Sequence, residues 1–130
     1  MRALIVDDDA GVRLLLRRIL LRNQFEVDLA RDGAEAIAMI AQHEYGVIVL
    51  DLMMPRIDGR AVVRYFARYA PEKLRNVIVM SAFAEALEEV CPPVMHAIEK
   101  PFDIDRVLRE IAHITPHEVG EDSGRYSLRR

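Results

Sequence analysis

Residues 46–59, "GVIVLDLMMPRIDG", decide the fold. Val47, Ile48, Val49 and Leu50 form an unbroken apolar run, which suits a strand covered on both faces rather than one with a wet side. Asp51 then interrupts before Leu52, Met53 and Met54 turn apolar again. A carboxylate at the end of a strand meant for the core is costly unless something there uses it. That question directs attention to the ends of the other apolar runs.

Outward from this stretch, residues 3–6, 77–80 and, more weakly, 94–98 read as further buried strands. "FEVDLA", residues 25–30, alternates apolar and polar and belongs near a sheet edge. Between these runs the apolar residues take helical spacing. Val12, Leu15, Leu16 and Ile19 form one face of a first helix, with Arg13, Arg17, Arg18 and Arg22 elsewhere on its surface. Asp32 caps a second helix over about residues 34–42, with Glu35 placed as in a capping box. Asp58 caps a third, carrying Val62, Phe66 and Tyr69, which Pro71 closes. A fourth, over residues 84–89, is cut short by Pro92 and Pro93. Asp103 caps the last, residues 104–114, with Ile104, Val107, Leu108 and Ile111 on one stripe. Alternating strands and helices of these lengths predict an α/β fold, a parallel sheet with right-handed crossovers and helices on both faces.

The chain has 130 residues, enough for one domain with a core needing neither disulfides nor structural metal. Its net charge of −3 and lack of a Lys/Arg-dense run argue against direct nucleic-acid binding. Cys91 has no second cysteine to pair with, and the first apolar run is too short for a signal peptide or membrane span. A cytoplasmic location is therefore expected. Residues 1–115 make the domain; residues 116–130 are polar, show no helical stripe and read as a mobile tail.

In open parallel sheets the functional crevice lies beyond the carboxyl ends of the strands. The first run is followed by Asp7, Asp8 and Asp9, the second by Asp51, the third by Ser81, and the last by Glu99 and Lys100. Clustered carboxylates repel one another unless a cation intervenes. Mg²⁺ is suited to such a site because it binds one or two carboxylates and keeps room for a phosphate oxygen. A further carboxylate can then attack phosphorus, with the Lys100 ammonium and Ser81 hydroxyl placed to meet charge on the transferring group. Taken singly, each residue has a plainer reading: Asp9 and Ser81 as caps, Lys100 as a solvated lysine. The ordered set at successive strand ends outweighs those readings. His43, His96, His113 and His117 have no metal-ligand or triad spacing in the sequence.

"LIVDDD", "VIVLDLMMPRIDG", "VIVMSA" and "EKPF" together resemble the receiver domain of bacterial two-component response regulators, over residues 1–115. The resemblance implies a flavodoxin-like five-stranded sheet of order 2-1-3-4-5. It implies Asp51 as phosphoacceptor, Asp7 and Asp8 as the acidic pair that holds Mg²⁺ with Asp51, and the Met53 backbone carbonyl as a further ligand, with Mn²⁺ able to substitute. It also implies Ser81 as the switch hydroxyl, Lys100 as the phosphate contact and a cis bond between Lys100 and Pro101. A histidine kinase or histidine phosphotransfer protein would be the donor. The expected output is protein binding to a downstream target by a stand-alone chain, not enzymatic turnover.

Several residues depart from the family's pattern. Ala97 stands where members commonly carry a Tyr or Phe that reports phosphorylation, and neighbouring His96 points to the other strand face, as a half-buried strand histidine. The segment from Ser81 to Lys100 is short and contains Pro92-Pro93, which puts the usual dimer in doubt and favours a monomer or an atypical one. Met53 and Phe83 are apolar where some members are polar, which would restrict attacking water. Two rivals follow: a phosphohydrolase, disfavoured because Met53 is not an acid, and a receiver-like binding module that works without phosphate.

Overall fold

The computed structural model describes residues 1–55 and 58–114, so the expected tail lies outside the described residues. The elements are β1 (Arg2–Val6), α1 (Ala10–Arg22), β2 (Glu26–Ala30), α2 (Gly33–Gln42), β3 (Val47–Asp51) and α3 (Gly59–Tyr69), then a 3-10 turn (Pro71–Asn76), β4 (Val77–Ser81), α4 (Ala84–Val90), β5 (His96–Glu99) and α5 (Ile104–Ile114). All strand pairs are parallel and the sheet order is β2-β1-β3-β4-β5, which puts the alternating strand β2 at an edge.

The strand alternation divides the core into two layers. Leu4, Val6, Ile48, Leu50, Val77 and Val79 face α2, α3 and α4, where Ala36, Ile40, Val62, Phe66, Ala86 and Val90 meet them. Ala3, Ile5, Val47, Val49, Ile78, Met80 and Ile98 face α1 and α5, against Leu16, Ile19, Leu20, Val107 and Ile111. Every residue of β3 and β4 is buried, which is why their sequences are unbroken apolar runs rather than alternating ones.

Aspartate caps fix four of the five α-helix starts, those of α1, α2, α3 and α5. Asp9 accepts from the Gly11 and Val12 amides, Asp32 from Glu35 and Asp58 from Ala61. Asp103 accepts from the Arg106 amide at 2.9 Å. The Glu35 carboxylate accepts from the Arg31 amide at 2.8 Å and is gripped by the Arg31 guanidinium at 2.9 Å.

Three residues expected in helix stripes are exposed instead: Leu15, Tyr69 and Ile104. Leu15 lies at the side of its stripe, Tyr69 is the last residue of α3 and Ile104 the first of α5, and Leu20 takes the buried place on α1. Pro71 ends α3 as expected but also opens the 3-10 turn, whose Leu74 enters the core. β5 begins two residues later than its apolar run; Val94 is still buried, packed beneath α4.

Candidate functional site

Four strands deliver polar groups to one edge. β1 hands over to Asp7 and Asp8, β3 ends on Asp51, β4 ends on Ser81, and Lys100 follows β5. Asp7, Asp51 and Ser81 are buried, at 0%, 4% and 1% exposure, whereas Asp8 faces solvent. The parallel register explains the convergence, since each of these residues sits at or just past the last paired position of its strand.

Lys100 Nζ lies 3.2 Å from Asp7 Oδ2 and 3.6 Å from Asp51 Oδ2, so one ammonium serves two buried carboxylates. The other Asp7 oxygen accepts from the Asp9 amide at 2.9 Å, and Arg13 Nη1 donates to the Asp7 carbonyl at 2.7 Å. Asp51 Oδ1 accepts from the Met53 amide at 3.1 Å. Burial, and then the negative charge of Asp7, push the Asp51 carboxyl up to about 6, against the opposing pull of the Met53 amide and Lys100. Asp51 is a carboxylate in need of positive charge.

Asp7, Asp8 and Asp51 each offer one carboxylate oxygen, all within 4.8 Å of one another. Among the described residues, three carboxylates and the Lys100 ammonium meet here, and the carboxylates form a hard, oxygen-only donor set that fits Mg²⁺. Met53 is two residues past Asp51 in the same turn, so its carbonyl belongs to this edge, while its side chain is exposed.

Ser81 Oγ accepts from the Phe83 amide at 3.0 Å. A hydroxyl whose lone pair is used in this way keeps its own proton to donate outward. The Lys100 amide donates to the Ser81 carbonyl at 2.8 Å, tying the two loops together, and the Lys100-Pro101 bond is cis as expected. Ala97 pairs with Val79 in the sheet, and its carbonyl accepts from Arg106 Nη2 at 2.7 Å. A cleft of about 400 Å³ lined by Ile40, His43, Tyr45, Lys73 and Asn76 lies near the start of β3 and shares no residue with this edge.

Sequence reasoning missed the role of Gly59. A Cβ there would strike the Asp51 carbonyl oxygen and come within 2.7 Å of the Leu52 Cα, because the first turn of α3 lies directly on the phosphoacceptor-candidate backbone. The Gly59 amide also donates to the Leu52 carbonyl at 3.1 Å. Gly59→Ala is expected to cost about 1–3 kcal/mol, since backbone rather than a flexible side chain must yield. Urea unfolding measures it, and an unchanged midpoint would refute the close approach. A glycine immediately after a capping aspartate was the available signal.

Residues 3–112 match the family described as "Response regulator receiver domain". The chain is 38% identical over 125 residues to the response regulator MprA of Mycobacterium avium, covering 94% of this chain and 54% of that protein. It is 40% identical over 126 residues to MprA of Mycobacterium leprae, covering 95% and 54%. The chain thus spans about half the length of the curated relatives it matches. Among solved structures it superimposes on the response regulator TrrA of Thermotoga maritima, in complex with Mg²⁺-BeF, with a TM-score of 0.78 and 25% identity, covering 87% of this chain and 97% of that one.

Proposed function

This chain belongs to the response regulator receiver domain family, whose members are phosphorylation-dependent switches of two-component signalling, and from that premise we propose that Asp51 accepts a phosphoryl group from a phosphohistidine partner and that a separate protein reads the result. The observation that carries it is the single Lys100 ammonium shared between buried Asp7 and Asp51.

In the proposed step an Asp51 carboxylate oxygen attacks phosphorus, the P–N bond to the donor imidazole breaks, and the ring nitrogen keeps the electron pair. Met53 N–H holds the other carboxylate oxygen and so aims the attacking one. Asp7, Asp8, Asp51 and the Met53 carbonyl would hold Mg²⁺, with Mn²⁺ able to replace it. When bound, the ion would neutralise carboxylate charge and draw charge from the phosphoryl oxygens. Lys100 transfers its contact from Asp51 to the phosphoryl group, and Ser81 donates its hydroxyl proton to a phosphoryl oxygen. Both movements pull on the Ser81 and Lys100 loops, which the backbone bond between them already couples. The donor would be a histidine kinase or histidine phosphotransfer protein.

Exposed Met53 and Phe83 flank the two side chains their amides bind, and in this reading they shield the acyl phosphate from water. Ala97 favours a second reading, a receiver-like module that binds its partner without phosphate, because no aromatic ring at that position can report on Ser81. The test is the intact mass after incubation with acetyl phosphate and Mg²⁺. One added phosphoryl group, absent when EDTA replaces Mg²⁺, is the expected result. No adduct, with Mg²⁺ binding verified by titration, would overturn the proposal in favour of the second reading.

A further inference from the structure

The sequence offers no histidine metal spacing, yet the packing of α5 on β5 corrects that reading. His96 on β5 and Glu110 and His113 on α5 each present one ligand atom, all within 4.8 Å of one another. Glu110 and His113 are three residues apart on the helix, so both side chains project from one face. His96 is distant in sequence and arrives only through the fold.

Glu110 is a buried carboxylate, 7% exposed, on a helix that otherwise buries apolar residues. Its Oε1 lies 3.2 Å from His96 Nδ1, and its Oε2 lies 3.2 Å from Arg106 Nη2. Arg106 is itself anchored on the Ala97 carbonyl, so the guanidinium holds the far oxygen and turns the near one towards the imidazoles. The His96 and His113 rings stack with centroids 6.4 Å apart, and His113 faces solvent.

We propose that His96, Glu110 and His113 form a second metal site, selective for a borderline divalent ion such as Zn²⁺ and separate from the carboxylate edge. Two imidazoles and one carboxylate are a donor set that Zn²⁺ takes in open sites, with bonds of about 2.0–2.2 Å and a fourth position left free. Tetrahedral geometry at those lengths puts ligand atoms about 3.3 Å apart, close to the His96–Glu110 separation. His113, exposed near the end of α5, has the rotamer freedom to close the remaining gap. The mixed nitrogen and oxygen donors distinguish this site from the oxygen-only edge, which suits Mg²⁺. Arg106 plays the part of the outer partner that orients a ligating carboxylate.

The site clips α5 onto β5, the strand that leads into Lys100. Lys100 is four residue steps along the chain from His96, roughly 13 Å. The fourth position would take water.

The test is calorimetric titration of the untagged chain with Zn²⁺ in excess Mg²⁺, which keeps the carboxylate edge filled, beside His113→Ala and Glu110→Gln. One Zn²⁺ per chain is expected, with binding at least about tenfold weaker in each variant. Co²⁺ substitution should give the intense visible absorption of a tetrahedral centre in the wild type and not in His113→Ala. His113 is exposed, so its removal leaves the core intact, and circular dichroism checks this. Absence of Zn²⁺ binding, or equal affinity in wild type and His113→Ala, would overturn the proposal.

Discussion

Asp51→Asn is expected to abolish phosphorylation by acetyl phosphate while making the metal-free protein more stable at neutral pH. The two effects have one cause. The carboxylate that would attack phosphorus is buried beside Asp7, and those two features raise its pKa to about 6 from an ordinary value near 4. The folded state therefore binds the Asp51 proton more tightly than the unfolded chain does. The stability from this group is fully present below about pH 4 and is lost as pH rises through about 6. At pH 7.5 the carboxylate is charged and buried beside Asp7; asparagine has no such charge. Each pKa unit is worth about 1.4 kcal/mol, so the variant should be more stable by about 1–3 kcal/mol at pH 7.5 in EDTA and nearly equal to wild type at pH 4. Urea unfolding of both proteins across that range reads the difference directly. A gap that did not change with pH would break the link between buried charge and reactivity. Mg²⁺ should close the gap by stabilising wild type more than the variant.

Lys100→Met should act in the opposite direction on stability and in the same direction on chemistry. Its Nζ is the ammonium that both Asp7 and Asp51 contact, at 3.2 and 3.6 Å, and methionine keeps much of the stem while removing the charge. Breaking a buried ion pair from one side costs about 3–5 kcal/mol; the partial exposure of Lys100 reduces this to about 1–3 kcal/mol for the metal-free protein at pH 7.5. The loss should shrink at pH 4, where Asp51 is protonated in the folded state. Phosphorylation from acetyl phosphate should slow by about 10²–10³-fold, the usual effect of losing one preorganised charge contact to a transferring group. Quench and intact mass give the rate. Wild-type kinetics in Lys100→Met would remove the ammonium from the proposed mechanism.

Most of the architecture was legible in residue order. Continuous apolar runs announced β3 and β4 as doubly covered strands, alternation announced β2 as an edge, and aspartates marked four helix starts through short-range hydrogen bonds that depend only on neighbours. The carboxylates, hydroxyl and ammonium were legible for the same reason: in a parallel sheet, strand ends share an edge, so the residue after each run is placed by topology alone. Even the short α4 followed from two prolines.

What depended on distant partners was not legible. The exposure of Leu15, Tyr69 and Ile104 depends on which part of each helix packs against the rest of the fold, which no helical period contains. Gly59 matters because the first turn of α3 settles on the Asp51 backbone, a contact between segments that a loop separates. The convergence of His96, Glu110 and His113 requires β5 and α5 to pack in one register, and the raised pKa of Asp51 comes first from its burial in the folded core and then from Asp7 arriving on another strand. The order of residues thus determined the elements, their topology and the chemical types at the carboxyl edge, because those rest on local periodicity and chain direction. Tertiary structure alone decided which charges are buried together and that Lys100 meets both Asp7 and Asp51, because desolvation and Coulomb energy depend on distance through space, not along the chain.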